Sequence, residues 1–362
     1  MRPFTRLPLC LALFTFILSS CIQNKCSLPE FEGVCQDKPS DMTSDPPGSK
    51  TYSFTYGTES GTIHSIAMID KTPADQGPIF AFNFVKKNTF DIIITDIASL
   101  QNNTQIKSDF TDFNKGNTSG KTEGITHSDN IISFIHKQSH TNRYIGKINL
   151  TTKKRLTDTD SGSSSDAWSL DFNRHAKYFS LAYPAPRQTN KSILSISALP
   201  DFSGNSTAPT TTFDSIGRVV IGRPVDASTN HAIIWEESGR RPQLVEATQS
   251  STPANTFLPS LDGCFVETGR LCPVVLADIF NEELDELTIA RRNGIHIYAN
   301  SNDKCDNACK GDIFISTPEQ AQAITVSINQ VKAERKLVWA SSKFENETNT
   351  ITIHTIPVSS IM

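Results

Sequence analysis

Three aspartates in the middle of the chain have the spacing of a cation-binding loop. Asp158, Asp160 and Asp166 occupy positions one, three and nine of a polar segment. Calcium prefers several carboxylate oxygens that converge on one point, and a turn with alternating acids can supply them. The segment has no acid at position five and no Glu at position twelve. Two interpretations stay open, a calcium site and a plain polar loop, and the spacing favours the loop.

Other residues with reactive side chains give weaker patterns. His136 and His140 could place two imidazoles on one side of a strand or turn, but zinc needs further ligands, so a surface pair is preferred. The acids within residues 282–286 could act as a general acid and base, although such a run is more typical of a solvated loop. The chain contains no G-x-S-x-G, H-E-x-x-H or G-x-x-x-x-G-K-[ST] motif. We therefore expect no enzyme.

The N-terminus has the features of an export signal. Arg2 and Arg6 form a short positive region, and an apolar stretch follows at residues 7–18. Twelve apolar residues are too few to span a bilayer, so this segment is predicted to be a signal peptide.

Residues 18–21, Leu-Ser-Ser-Cys, resemble the lipobox of bacterial lipoproteins. The resemblance implies cleavage before Cys21 and attachment of a diacylglyceryl group to its sulfur. Because Ile22 rather than Asp follows, it also implies sorting to the outer membrane. The alternative is an ordinary secreted protein that has a cysteine at this position.

The remaining cysteines agree with export. Of the eight in the chain, Cys10 lies in the signal and Cys21 in the lipobox. The other six form three close pairs: Cys26 with Cys35, Cys264 with Cys272 and Cys305 with Cys309. The even number of these cysteines and their close spacing favour three disulfides in an oxidising compartment. Zinc at the last pair is disfavoured, since no His and no second such pair is close in sequence.

Composition limits the class of protein. The formal net charge is −4, and removal of Arg2 and Arg6 with the signal makes it −6. No basic stripe is present that could neutralise phosphates, so we expect no nucleic-acid partner. Hydrophobic residues make up only 37% of the chain, and Ser, Thr and Asn are abundant. With few helical patterns, this composition favours an all-β protein with many turns.

A predicted hairpin at residues 286–298 shows how the strands are built. Two apolar runs, residues 286–290 and 294–298, flank a polar elbow, and the second run alternates isoleucine with His and Tyr. Period-two alternation is typical of a half-buried strand. Asn293 and Gly294 are expected to supply the positive φ angles of a tight turn.

Similar paired runs recur along the chain. Their inner runs begin at Ile92, Ile131, Ser180, Val219, Leu287 and Leu337, which lie 39 to 68 residues apart. A repeat of about 40–50 residues with four short strands is typical of a β-propeller blade. The longest interval contains Cys264 and Cys272, and it is either an insertion or a seventh, divergent blade.

Residues 171–182 and 277–290 resemble FG-GAP or VCBS-type repeats. In that family an acidic loop before the strand holds calcium, and the resemblance places Asp278, Glu282 and Glu286 at its first, fifth and ninth positions. It implies a propeller that acts as a calcium-dependent adhesin.

Residues 154–157, 166–171 and 177–182 resemble instead the TolB-type repeat, with its Leu-Thr and Ala-Trp-Ser segments. The two resemblances name different families but imply the same architecture. We therefore predict a β-propeller of six or seven blades built from short antiparallel strands.

The predicted domain organisation has three parts. Residues 1–20 are the signal peptide, residues 21–50 are the lipidated Cys21 and a flexible tether, and residues 51–362 are the propeller. Either the strand at 52–56 or the one at 63–69 is expected to complete the last blade and so hide the sheet edges.

Three functions are compatible with these features. The sequence favours a non-catalytic protein-binding or scaffolding lipoprotein of the bacterial outer membrane, with another envelope protein or a glycan as partner. The first alternative is a calcium-dependent adhesin or glycan-binding protein. The second is a propeller hydrolase or lyase that acts on a polysaccharide or peptide, and it predicts an acidic or His-lined funnel. No cofactor other than calcium is expected.

Overall fold

The fold is known from a computed structural model of the 362-residue chain. It describes residues 47–69, 78–86, 89–96, 116–117, 125–128, 131–137, 143–149, 154–160, 169–173, 178–184, 191–198, 211–225, 228–239, 242–246, 258–267, 270–279, 284–298, 313–327 and 334–361. These residues form 25 β-strands and a short 3-10 helix, Val358–Ser360, and they contain no α-helix. None of the described residues belongs to a helix that could span a membrane.

The described strands group into antiparallel sheets that follow the order of the chain. The chain enters through β1 (Lys50–Tyr56), which belongs to the last sheet. The first sheet contains β2 (Gly61–Ile69), β3 (Ile79–Lys86), β4 (Thr89–Asp96) and β5 (Gly116–Asn117). The second contains β6 (Ile125–Ser128), β7 (Ile131–Lys137), β8 (Arg143–Asn149) and β9 (Lys154–Asp160). The third contains β10 (Ser169–Asn173), β11 (Tyr178–Pro184), β12 (Lys191–Ala198) and β13 (Thr211–Asp214).

The remaining strands form three further sheets and one separate pair. The fourth sheet contains β14 (Ile216–Gly222), β15 (His231–Glu236) and β16 (Gln243–Glu246). A two-stranded hairpin follows, β17 (Phe265–Glu267) and β18 (Arg270–Leu271). The fifth sheet contains β19 (Val274–Ala277), β20 (Glu286–Arg291), β21 (Gly294–Tyr298) and β22 (Ile313–Ser316). The sixth contains β23 (Ala323–Val326), β24 (Lys336–Glu345) and β25 (Thr348–Pro357), with β1 at its edge.

The first strand of each sheet, here called its inner strand, contacts the inner strand of the next sheet. The contacts run from β2 to β6, β10, β14, β19 and β23, and from β23 back to β2. The sheets are therefore arranged in a continuous circuit about one axis, and buried apolar clusters fill the seams between neighbours. This is an all-β, propeller-like arrangement, as the sequence predicted.

The circuit is joined by β1, the first strand in the described part of the chain, which pairs along its whole length with β25. Its aromatic side chains also contact β3 of the first sheet. The ring pairs are Tyr52 with Phe80 at 5.6 Å, Phe54 with Phe82 at 5.9 Å and Tyr56 with Phe84 at 5.3 Å between centroids. Of the two strands considered for the last sheet, residues 52–56 are the correct choice.

The predicted strands are present in the structure. The repeat interval, however, was counted between apolar runs that were taken as inner strands and mostly are not. The apolar runs that begin at Ile131, Leu287 and Leu337 lie in second strands, and Ile92 lies in a third strand. Middle strands are covered by neighbouring sheets on both faces, so they carry the longest apolar runs. In β3, for example, six consecutive residues are buried. Of the six residues from which the repeat was counted, Val219, in β14, is the one that lies in an inner strand.

The hairpin of β20 and β21 is confirmed, although its turn differs from the prediction. Arg291 pairs with Gly294, which leaves Arg292 and Asn293 as the loop. Of the Asn-Gly pair, only Gly294 has a positive φ, +152°. A Cβ on this residue would lie 2.4 Å from the carbonyl oxygen of Ile315. Glycine is therefore required mainly because β22 approaches closely.

Phe54 tests the joint between the first and last sheets. Its side chain is buried against Phe82, so Phe54→Ala is expected to lower the free energy of unfolding by about 3–5 kcal/mol. Urea unfolding of the purified chain measures this change. The control is Ser53→Ala on the exposed face of the same strand, with an expected change within about 0.5 kcal/mol. Equal effects of the two substitutions would show that β1 does not pack on β3.

Candidate functional site

The hairpin of β17 and β18 lies across the end of the ring at which the inner strands begin, here called the capped end. Arg270 Nη2 donates to the carbonyl of Ile63 in β2 at 2.8 Å. The carbonyl of Leu271 accepts from Arg218 Nη2 of β14 at 2.9 Å. Among the described sheets the first and the fourth are not neighbours in the circuit, so these two bonds carry the hairpin from one side of the ring to another.

A disulfide closes the base of this hairpin. Cys264 and Cys272, which flank the two strands, are bonded with an S–S distance of 2.06 Å. The amide of Cys272 also donates to the carbonyl of Cys264 at 2.8 Å. Both residues are buried in the apolar seam between the fourth and fifth sheets. Residues 264–272 are called the cap below; residues 268–269 lie outside the described part.

Glu267 is the charged centre of the cap. One of its carboxylate oxygens lies 2.9 Å from Nε2 of His64 and 3.1 Å from Nη1 of Arg270. Thr62 Oγ1 donates to the same carboxylate at 3.4 Å. The hydrogen bond from His64 and the charges of Arg270 and His64 outweigh partial burial and lower the pKa of Glu267 to about 2. The carboxylate is therefore ionised at any physiological pH.

Gln322 joins the cap to the first and sixth sheets. Its side-chain oxygen accepts from the amides of Ile63 at 3.0 Å and Ser342 at 3.1 Å. Its side-chain nitrogen donates to the carbonyl of Ser342 at 3.0 Å, and its own carbonyl accepts from Arg270. All three groups of this glutamine are thus used to hold β2, β24 and the cap together.

Two β-bulges, one in β2 and one in β14, direct residues of these inner strands towards the cap. In β2 the pairing skips from Ile63 to Ser65, so His64 is the extra residue and reaches Glu267. In β14 the extra residue is Gly217, next to Arg218. A Cβ on Gly217 would lie 2.8 Å from the side chain of Leu271, so a larger residue would displace the cap. Bulges re-aim side chains in this way at specialised positions.

At the opposite end of the ring the last two acids of the run, Asp285 and Glu286, are buried, which corrects the solvated-loop interpretation for these two residues. Asp285 and Glu286 are 3% and 1% exposed, whereas Glu282 and Glu283 lie outside the described residues. The amide of Arg223 donates to Asp285 Oδ2 at 2.7 Å. Buried carboxylates need such donors, and a sequence run of acids does not reveal them.

Two acids that the FG-GAP resemblance assigns to calcium are used within the protein. Asp278 Oδ2 lies 3.3 Å from Nη1 of Arg335, and Glu286 Oε2 accepts from the amide of Ile279 at 2.5 Å. The third, Glu282, lies outside the described residues. Within the described part of the chain, no three His, Cys, Asp or Glu side chains are grouped as metal ligands.

The other predicted site residues lie within strands of the second sheet or outside the described part of the chain. Asp158 and Asp160 lie at the end of β9, in extended backbone, and His136 lies in β7. The predicted site residues that lie outside the described part are Cys21, Cys26, Cys35, His140, Asp166, Cys305 and Cys309. Trp235 and Trp339 are buried in the seams on either side of the fifth sheet.

The sequence did not predict the charged contacts of the cap. Arg270 and Ile63 are 207 residues apart, and Gln322 and Ile63 are 259 apart. The close pair Cys264 and Cys272 was the one local signal at this place. Chemically, the arrangement ties ionisable groups to one another and to the main chain, and it builds a fixed surface at this end of the ring.

Comparisons with known proteins give the following result. No protein-family model and no curated protein matches the chain. Similar solved structures include a protein of unknown function from Dyadobacter fermentans, with a TM-score of 0.49 and 8% identity over 86% of this chain and 100% of that one. The Dos1 propeller has a TM-score of 0.39 and 8% identity over 80% and 67% of the two chains. BBS1N in complex with ARL6DN has a TM-score of 0.36 and 10% identity over 82% and 79%.

These TM-scores indicate a distant likeness, and none of the three structures assigns a function to the chain. Its all-β, propeller-like fold is established by its own strand order and by the contacts between its sheets.

The low pKa of Glu267 predicts a pH dependence of stability. The carboxyl titrates near 4.5 when unfolded and near 2 when folded, so its contribution is complete above about pH 4.5 and is lost as the pH falls towards 2. Glu267→Gln is expected to lower the unfolding midpoint at pH 7, and its difference from the native chain should vanish near pH 2. Urea unfolding between pH 2 and 7 measures both.

The matched control is Glu347→Gln on the exposed turn between β24 and β25. This variant should follow the native chain at every pH. A constant difference between Glu267→Gln and the native chain across the whole range would contradict an ionic role of Glu267.

Proposed function

We propose that this chain is a lipid-anchored protein of the bacterial envelope whose six-bladed β-propeller is a non-catalytic protein-binding or scaffolding module. The observation that carries the proposal is the cap. His64, Glu267 and Arg270 bind one another and the main chain, and the hairpin is bonded to both the first and the fourth sheets. A propeller enzyme would need reactive groups in an accessible funnel, whereas the described groups at this end are used for structure.

The strand order supports six blades rather than seven. The described strands form six sheets of three or four strands in circular contact, and β1 completes the sixth. The segment that suggested a seventh blade, around Cys264 and Cys272, forms the two-stranded cap instead. The long interval in the sequence is thus explained by an insertion between the fourth and fifth blades.

The lipobox-like segment supports anchoring to the membrane. Residues 18–21 place a cysteine two serines after the apolar stretch, and the ring begins near Lys50. The intervening residues separate the lipid from the propeller. A single acylated N-terminus of this kind would hold the module at the outer membrane and leave its loops available to another envelope protein or a glycan.

Lipid attachment is tested at Cys21. In a bacterial host supplied with an alkyne fatty acid, the native chain should be labelled and recovered with membranes. Cys21→Ser should lose the label and leave the membrane fraction, because the sulfur is the acceptor. Cys10→Ser, in the apolar stretch, is the matched control and should behave as the native chain. Recovery of unlabelled native chain in the soluble fraction would contradict the anchor.

The non-catalytic role is tested by cross-linking and turnover together. Brief chemical cross-linking of intact envelopes should give a discrete adduct of the chain with a second protein. The purified chain should release no product from peptidoglycan, soluble polysaccharide or casein above the rate of a Glu267→Gln, His64→Gln double variant. The absence of an adduct, combined with turnover that this variant abolishes, would overturn the proposal.

A further inference from the structure

The N-terminal side of the described chain enters the ring at the end away from the cap. β25 begins at the capped end, and Lys50 pairs with Thr355 near the other end of β25. Ser360 Oγ donates to the carbonyl of Pro47 at 2.7 Å, so the residues just before β1 also lie at this opposite end. A pull on the N-terminal segment, directed away from the ring, therefore acts along the length of β1.

An unbroken ladder holds β1 to β25. All seven residues of β1 are paired with consecutive residues of β25, without the irregularities seen in β2 and β14. The hydrogen bonds of an antiparallel ladder are perpendicular to its strands. A force along β1 loads these bonds sideways and all at once. A force that separates the two strands from one end loads them one after another.

The side chains of β1 also oppose sliding along the strand. Tyr52, Phe54 and Tyr56 lie on the face towards the first sheet, where each ring contacts a phenylalanine of β3. Because the side-chain period of a strand is two, a slip by one residue would move all three rings to the exposed face. The ladder therefore has no nearby alternative register in which β1 could stop after it begins to slide.

The far end of β1 is anchored by one buried side chain of β25. Asn349 Nδ2 donates to the carbonyl of Tyr56 at 3.0 Å and to that of Glu59 at 2.8 Å. Its Oδ1 accepts from the amide of Gly61 at 3.3 Å. These bonds fix the turn between β1 and β2 to the sixth sheet. A pull along β1 is thus resisted by β25 at both ends of the strand.

We propose that β1 is a directional mechanical latch. It resists a pull along its length, which shears the whole ladder, and it yields more easily when the N-terminal segment and the end of β25 are drawn apart, which peels the pairs from Lys50 onwards. Loss of β1 would uncover the apolar cluster between the first and sixth sheets and open the ring.

The shear direction is the one that matters for an anchored scaffold. A partner held at the capped end would pull against the lipid along β1. This significance rests on the proposed anchoring and binding function. The directional strength itself is a property of the described strands and needs no membrane.

Optical tweezers on the full mature chain in detergent compare the two directions. One handle is attached through an azide-bearing residue at position 47 in both preparations. The second is at position 346, in the exposed turn at the capped end, for shear, or at position 359, exposed at the opposite end, for peeling. At the same loading rate, the first rupture should occur at a higher force in the shear direction. The comparison needs no change in the packing of β1.

A substitution within β1 identifies the element that ruptures. Phe54→Ala should shift the shear rupture to lower force, because its ring packs on Phe82. Thr55→Ala, on the exposed face of the same strand, is the matched control and should rupture as the native chain. If Phe54→Ala does not fold by near-ultraviolet circular dichroism, Phe54→Leu serves in its place.

Two results would overturn the latch. The first is a shear rupture force that is equal to or lower than the peeling force. The second is a first shear event that releases more chain than β1 and its turn contain, since another sheet would then yield before β1. Either result would leave the lipid anchor and the binding module standing. Conversely, failure of the Cys21 labelling experiment would leave the measured directional strength unchanged.

Discussion

The pairing of β1 with β25, the first and last strands that the structure describes, is the constraint on which the rest of this structure depends. Each sheet covers its apolar faces only with the sheets on either side, so a ring that opened at one seam would expose two faces at once. β1 prevents this because it belongs to the sixth sheet by hydrogen bonds and contacts the first through three aromatic pairs. Contacts between residues from opposite ends of the sequence thereby hold the ring together.

Polar groups reinforce the same seam. Tyr56 donates to Asp91 at 2.9 Å, and Lys86 lies 2.8 Å from the same carboxylate. Burial and the charge of Asp91 raise the pKa of Tyr56, so the phenol keeps its proton and donates at every physiological pH. The side chain of Asn349 binds the main chain of the turn between β1 and β2. The turn that enters the ring is thus fixed at the capped end, next to β2 and the cap.

The cap adds a second constraint, and the two act together. Bulges in β2 and β14 provide the close approach, the disulfide closes the hairpin, and Glu267 supplies the charge that pairs with His64 and Arg270. A propeller-like ring has a natural opening at its axis. At one end of that axis lies a hairpin held by a disulfide and by bonds to two sheets, so the chain offers a surface at this end, which is what the proposed binding role requires.

The features that could be predicted from the sequence, namely the strands and their recurrence, are those that short-range periodicity encodes. Alternation in residues 294–298 and the apolar runs of β3, β7 and β24 identified strands, and their recurrence indicated a propeller-like fold. The residues chosen as starts of the inner strands were mostly wrong. Middle strands, which are covered on both faces, have stronger apolar runs than inner strands such as β6 and β10. The contacts of Glu267 could not be predicted, because its partners His64 and Thr62 lie about two hundred residues away. Burial of Asp285 was missed for a similar reason, since its donor, Arg223, directly follows β14 of another sheet.

Hydrogen exchange of β1 is the most direct measurement of the central claim that the first strand holds the ring together. If β1 is an integral part of the sixth sheet, the paired amides of β1 and β25 will exchange at the same slow rate, set by global unfolding. If the amides of β1 exchange rapidly while those of β25 stay protected, the ring does not depend on its first strand and the account is wrong.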